Sequence, residues 1–206
     1  MLTAFTAGLL LITISELGDK TFCIAMLLAM RHSRRLVFLG VVAALAAMTI
    51  LSVLVGQMLA LLPRTYIHHA EVILFIGFGL KLLYDGHHMP AHPACEDVTE
   101  AQDTIAQSTL TPTKFGADYG IVLQAFALTF VAEWGDRTQF ATIALAASNN
   151  VWGVTLGAIL GHTVCAAIAV IGGRLIAGRL SERLVTRLGG LLFILFGIVA
   201  AIEGGV

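Results

Sequence analysis

Charge is the scarcest property of this sequence. Asp, Glu, Lys and Arg make up 12% of its 206 residues, against about 25% in a soluble domain. That is too little to coat a surface in water, so an ordinary cytosolic enzyme is excluded. A disordered chain is excluded too, because 58% of the residues are hydrophobic. The net charge of −1 gives no basic field for nucleic acid. Cysteine is also rare. Cys23, Cys95 and Cys165 are odd in number and show no CxxC spacing, which argues against a disulfide framework or a structural zinc site. The first apolar stretch lacks a basic n-region and carries Glu16 and Asp19, so it is expected to be a retained span rather than a signal peptide. No Arg-rich, Ser-rich transit segment precedes it, so an organelle-imported precursor is not expected. Neither a GxSxG elbow nor an HExxH zinc motif is present, and no enzyme activity or prosthetic group is expected.

What is present in abundance is apolar length. A spanning helix needs about 20 apolar residues. Mean hydropathy is +0.90, and six suitable segments lie at 4–30, 36–62, 67–86, 118–147, 151–177 and 184–203. They are too long and too uniformly apolar for strands, and no alternating pattern suggests an outer-membrane barrel. The expected fold is an all-α, polytopic membrane protein of six transmembrane helices. Pro63 suits a helix stop after the second segment. Only the third connection is long. It holds Pro90, Pro93, Pro112 and most acidic loop residues. The expected organisation is therefore a three-helix unit at 1–86, a cytoplasmic acidic linker at 87–117 and a second three-helix unit at 118–206.

The two units repeat. Glu16-Leu17-Gly18-Asp19-Lys20-Thr21 matches Glu133-Trp134-Gly135-Asp136-Arg137-Thr138 at an offset of 117, as Gly40 matches Gly157 and Gly56 matches Gly173. Phe75, Phe78, Gly79, Asp85 and Gly86 match Phe193, Phe196, Gly197, Glu203 and Gly204 at an offset of 118. Three spans per unit invert the second relative to the first, and inverted repeats with polar residues near the midplane are a transporter signature. Basic residues set the orientation. Arg31, Arg34 and Arg35 lie in the first loop, Lys114 in the third, and Arg174, Arg179, Arg183 and Arg187 in the fifth, against Arg64 alone on the other side. Loops one, three and five are expected in the cytoplasm and both termini outside, in a bacterial inner membrane.

Of the 25 formal charges, six are in the two motifs, deep in the first and fourth apolar spans. One charged side chain at the bilayer centre costs roughly 2.5–3.5 kcal/mol on insertion scales. All six must therefore face one another or a polar cavity. On a continuous helix, Glu16, Asp19 and Lys20 stand at i, i+3 and i+4, and Glu133, Asp136 and Arg137 repeat the arrangement. Thr13 and Thr129 extend those faces with hydroxyls, and Gln139 follows Asp136 by three. Gly18 and Gly135 are expected to admit close approach of a helix or an ion. Each motif carries a net −1, so two facing motifs give −2, which balances one divalent cation. Carboxylate, hydroxyl and carbonyl oxygens suit Ca²⁺, Mn²⁺ or Mg²⁺ over softer metals. Carboxylates in low dielectric also hold protons more tightly, so they can exchange a metal for protons. Lys20 and Arg137 either offset carboxylate charge when the site is empty or face the membrane surface.

At these motifs the chain resembles the calcium/manganese cation–proton antiporter family, which has twin E-x-G-D-[KR]-[TS] motifs and Golgi, chloroplast and bacterial members. Both copies match completely, and the resemblance covers nearly the whole chain. It implies that Glu16, Asp19, Glu133 and Asp136 bind the cation. It also implies roles for Thr21 and Thr138, and for Lys20 and Arg137 beside the site. Similar bacterial members imply export of Mn²⁺, with Ca²⁺ left open. The expected partners are the cation, protons and the bilayer.

Other residues carry bland readings beside functional ones. His162 either relays protons or is a hydrogen-bonded interior histidine. The linker residues His87, His88, His92, Cys95, Glu96, Asp97, Glu100 and Asp103 either gather metal or form a solvated, flexible segment, the reading preferred on composition. His68 and His69 read as interfacial, and Asp85 and Glu203 as polar helix ends. The alternatives to an antiporter are a six-span exporter of a small organic solute or amino acid, an intramembrane protease and a passive channel. The protease reading fails on its motif, because Glu precedes both Leu17-Gly18-Asp19 and Trp134-Gly135-Asp136 where a GxGD pattern is needed.

Overall fold

A computed structural model describes residues 1–89, 96–107, 117–176 and 182–203. Pro90, His92, Pro93, Cys95, Pro112, Lys114 and Arg179 lie outside the described residues. Among those described, the elements are helices: α1 (Leu2–Glu16), α2 (Lys20–Arg31), α3 (Arg34–Leu59), α4 (Arg64–His88), α5 (Glu96–Gln107), α6 (Ala117–Ala132), α7 (Arg137–Ser148), α8 (Val151–Ile176) and α9 (Glu182–Glu203). Four of them are long and apolar enough to cross a membrane: α3, α4, α8 over Val151–Gly172 and α9 over Arg183–Ile202. Their outward faces expose large apolar side chains such as Leu54, Ile73, Leu156 and Leu195, as a lipid-facing surface requires.

The first and fourth apolar segments are not the continuous helices expected from hydropathy. Each breaks at its motif. Helix α1 has 15 residues and α2 has 12, so at 1.5 Å per residue neither crosses the roughly 30 Å hydrocarbon core alone. The cause is one glycine in each. Gly18 has φ +82° and Gly135 φ +83°, a left-handed conformation that costs a residue with a side chain about 1–2 kcal/mol. These glycines serve the turn rather than close approach, because a Cβ at either would meet nothing within 4 Å. The i, i+3, i+4 face therefore does not exist. Glu16 ends one helix, while Asp19 and Asp136 occupy the N-cap positions of α2 and α7.

Packing places the two breaks between two apolar clusters. One joins α2, α5 and α6 to the first half of α3 and the second half of α8, around Ile24, Leu28, Val37, Val41 and Ala169. The other joins α1, α7, α4 and α9 to the remaining halves of α3 and α8, around Leu11, Phe75, Ala141, Val154 and Phe193. Small residues allow backbones to touch. A Cβ at Gly40 of α3 would lie 2.5 Å from the Val122 carbonyl oxygen of α6, and one at Gly157 of α8 would collide likewise with the Phe5 carbonyl oxygen of α1. These two contacts are counterparts under the 117-residue offset. Helices α4 and α9 pair through Gly79, Gly190 and Gly197, and Phe75 meets Phe193 edge-on at 5.8 Å between ring centroids.

Residues 96–107 of the linker form a helix, where its composition suggests a flexible segment. Its described part, α5, docks against α2, burying Ala101 and Ile105. An acidic but amphipathic segment can pack one face while its charged face stays in solvent.

Candidate functional site

The two broken turns are built alike. The Asp19 N–H donates to the Glu16 carbonyl at 3.3 Å, and the Asp136 N–H donates to the Glu133 carbonyl at 3.2 Å. Each turn leaves its glutamate at the helix end, Glu16 as the last residue of α1 and Glu133 just past α6, and its aspartate at the next helix start. Both glutamates are buried, Glu16 at 2% exposure and Glu133 at 3%. One carboxylate oxygen from each of Glu16, Glu133 and Asp136 lies within 4.8 Å of the others. Such convergence of acids away from water persists only with compensating positive charge or protons.

The hydroxyls of the motifs reach across. Thr21 Oγ1 donates to Glu16 Oε2 at 3.1 Å, and the Thr21 hydroxyl also lies against Glu133. Thr138 Oγ1 and N–H both donate to Asp136 Oδ2, at 2.8 and 3.2 Å, and its hydroxyl lies against Glu16. Several buried polar atoms in this layer have no hydrogen-bond partner among the described residues: Glu16 Oε1, Glu133 Oε1, Ser15 Oγ and Thr129 Oγ1. Burying a polar atom unpaired costs about 1–3 kcal/mol, and these unmatched oxygens are of the hard type a divalent cation takes.

Asp19 lies at the edge of the trio, near enough for its charge to act on Glu16 and Glu133. Arg137 Nη2 donates to Asp19 Oδ1 at 3.1 Å and to the Ser15 carbonyl at 3.3 Å. Lys20 is turned away, with its Nζ 2.6 Å from Glu100 Oε1 on α5. The two basic residues therefore differ in fate. Because Lys20 spends its charge on the linker, the four motif carboxylates and Arg137 leave an excess of −3, in place of the −2 expected from composition. Thr13 Oγ1 donates to the Leu9 carbonyl of its own helix at 2.6 Å. Gln139 accepts from the Gly135 N–H at 2.8 Å and so braces the second turn.

A cleft reaches the first break. Ser15, Leu17, Gly18, Asp19 and Arg137 line one side, and Leu82 of α4 with Val185, Thr186 and Gly189 of α9 line the other. His162 is buried beside this layer with Asp136 as its charged neighbour. Its Nδ1 has no hydrogen-bond partner among the described residues, which removes support for the interior-bonded reading at that nitrogen. Asp85 lies three residues before the end of α4, a polar helix end as expected. Sequence reading passed over Ser15, Gln124 and Glu71, all buried. The acid at Glu71, inside an apolar segment, was the available signal.

Comparison with known proteins decides the family. The profile of the divalent cation/proton antiporter GDT1 matches residues 4–90 and 121–205. The chain belongs to the GDT1 family. It is 62% identical over 200 residues to a GDT1-like protein of Synechocystis, covering 97% of each chain. It is 41% identical over 218 residues to GDT1-like protein 5 of Arabidopsis thaliana, covering 96% of this chain and 95% of the relative. GDT1-like protein 3 of Oryza sativa is 43% identical over 201 residues, covering 95% of this chain and 72% of the relative. No solved structure matches the chain. Membership of the GDT1 family, with long apolar helices, makes this a multi-pass membrane protein and a divalent-cation transporter.

Proposed function

We propose that the chain exports a divalent cation, Mn²⁺ before Ca²⁺, from the bacterial cytoplasm in exchange for protons. The observation that carries this reading is the buried trio of Glu16, Glu133 and Asp136, set between two apolar clusters. Asp19, held by Arg137 at the edge of the trio, is a fourth carboxylate beside it. Thr21 and Thr138 add hydroxyl oxygens. Ca²⁺ takes about six to eight oxygens, whereas three carboxylates and two hydroxyls suit a smaller, six-coordinate ion such as Mn²⁺. Exchange of one divalent cation for two protons leaves the residual charge of the site unchanged. The metal's export against an interior-negative potential, about 4.6 kcal/mol per 100 mV, is then offset by the protons that enter.

The architecture we infer is six spans in two inverted units, with α1–α2 and α6–α7 each forming one broken span. The mirrored Gly40–Val122 and Gly157–Phe5 contacts support it, as do the matched turns at Gly18 and Gly135. Residues 1–86 and 118–206 are the two units, joined by the segment 87–117 that contains α5. With loops one, three and five in the cytoplasm and both termini outside, the cleft beside Asp19 lies at the cytoplasmic ends of α4 and α9. This conformation is then open to the cytoplasm, and rocking of the α4–α9 pair exposes the site outward.

The test is a metal panel on proteoliposomes with a pH-sensitive dye. An outward proton gradient should drive Mn²⁺ uptake, with release of protons, more strongly than it drives Ca²⁺, Mg²⁺ or Zn²⁺. Proton movement that ignores all four metals would overturn the reading.

A further inference from the structure

The two motifs share a backbone but not their side-chain partners. Asp19 has φ −72° and ψ 171°, Asp136 φ −72° and ψ 159°. From these matched positions Asp136 joins the trio, while Asp19 stays at its edge, paired with Arg137 at 3.1 Å. The 117-residue repeat assigns the Arg137–Asp19 pair a counterpart, Lys20–Asp136. That counterpart is not formed, because Lys20 is on Glu100.

The surrounding helices break symmetry in the same sense. The α4–α9 pair packs on α1 through α9 and on α7 through α4. The mirrored contacts, α4 on α6 and α9 on α2, have no comparable packing among the described residues. The face of α2 carries α5 instead, with Ala101 and Ile105 buried there. The structure is therefore one of two arrangements that the inverted sequence allows.

Resting on the cation site proposed above, we propose that Asp19 and Asp136 alternate as the third carboxylate. Glu16 and Glu133 hold the cation throughout. In the present arrangement Asp136 completes the site and Arg137 withdraws Asp19. In the mirrored arrangement Asp19 completes it, and Lys20, released from Glu100, withdraws Asp136. Arg137 and Lys20 are positioning residues that act through the aspartates. The exchange needs side-chain rotations at two helix starts whose backbones already match. It keeps three carboxylates on the ion in both states, so neither state over-binds it. Lys20 can reach Asp136 only when α5 gives up Glu100, which couples the linker helix to the step.

The experiment is Mn²⁺ binding to the purified protein, combined with thiol labelling of Thr186→Cys in the cleft after Cys23, Cys95 and Cys165 are replaced by Ala. Asp19→Asn and Asp136→Asn should each still bind Mn²⁺ within about tenfold of the parent, because one state keeps its full site, while the double variant falls by more than about a hundredfold. Both single variants should lose antiport. Under saturating Mn²⁺, Asp19→Asn should raise labelling at Thr186→Cys and Asp136→Asn should lower it, since each is trapped in the opposite state. Arg137→Gln should lower both KM and turnover, as Asp19 joins the ion as a fourth carboxylate, and Arg137→Lys should restore both. Single variants that lose binding as fully as the double, or labelling that moves the same way in both, would overturn the alternation. Unchanged Mn²⁺ binding in Glu16→Gln would instead overturn the cation site itself.

Discussion

The turn at Gly18 and the turn at Gly135 are one backbone written twice, yet they hold different chemistry. At the second, Asp136 caps α7 by accepting from the Thr138 N–H and Gln139 braces Gly135, while Arg137 crosses to the other motif. At the first, Thr21 serves Glu16 and Lys20 leaves for the linker. Under the alternation proposed above, the matched main chains are a symmetric frame and the unequal partners record which aspartate is engaged. A planar, weakly hydrated guanidinium suits a crowded, half-buried pairing better than an ammonium does, so the Lys/Arg difference between the copies is itself part of the asymmetry.

That comparison can be broken at several strengths. The largest effect is expected at the glutamates, which the frame treats alike. Glu16→Gln and Glu133→Gln should each abolish Mn²⁺-driven proton movement in proteoliposomes, and normal transport in one of them would end their equivalence. Next come the mirrored helix contacts. Gly40→Val and Gly157→Val each press a side chain into a facing carbonyl, and overpacking costs about 1–3 kcal/mol. Both should lower the thermal midpoint in detergent to a similar extent, and a loss confined to one would show that the units pack differently. The elbows should cost less. Gly18→Ala and Gly135→Ala each force a left-handed alanine at about 1–2 kcal/mol, again readable as paired shifts in thermal unfolding. The smallest effect is at the asymmetric pair. Glu100 is largely exposed, so Glu100→Gln should change stability by only about 0.2–1 kcal/mol. Its equilibrium thermal shift is expected to be within error of Lys20→Ala, and a large loss would mean that α5 is held by this ion pair rather than by Ala101 and Ile105.

Much of this was legible before any coordinates. The apolar segments, the twin motifs and their offset are present in the one-dimensional pattern. Buried acids in an oily segment announce a site because their cost is so high. The break was not legible, since a three-residue interruption by Leu17-Gly18-Asp19 barely alters a hydropathy window about 19 residues wide. Its signal was the glycine between two polar positions, which reads equally as close packing. The separation of Lys20 from Arg137 was hidden as well, because both are one cation at the same register and only the docked α5 decides where the first one goes. That docking was masked by the acidity of the linker, whose buried positions, Ala101 and Ile105, are two residues among many polar ones.

The elbows have an electrostatic consequence beyond the direction they give the chain. Because each apolar segment stops and restarts its helix at the motif, four helix ends converge on one layer. Helices α2 and α7 begin at Asp19 and Asp136, so their partly positive N-terminal ends bear on these two acids, an effect of about 0.3–1 kcal/mol each or more where solvent is thin. Helices α1 and α6 end there with partly negative carbonyls, and the Ser15 carbonyl already serves as an acceptor for Arg137. A continuous helix cancels these partial charges along its length. The broken one delivers them among the buried acids, one pair of ends favouring negative charge and the other favouring positive charge, without a single additional charged residue.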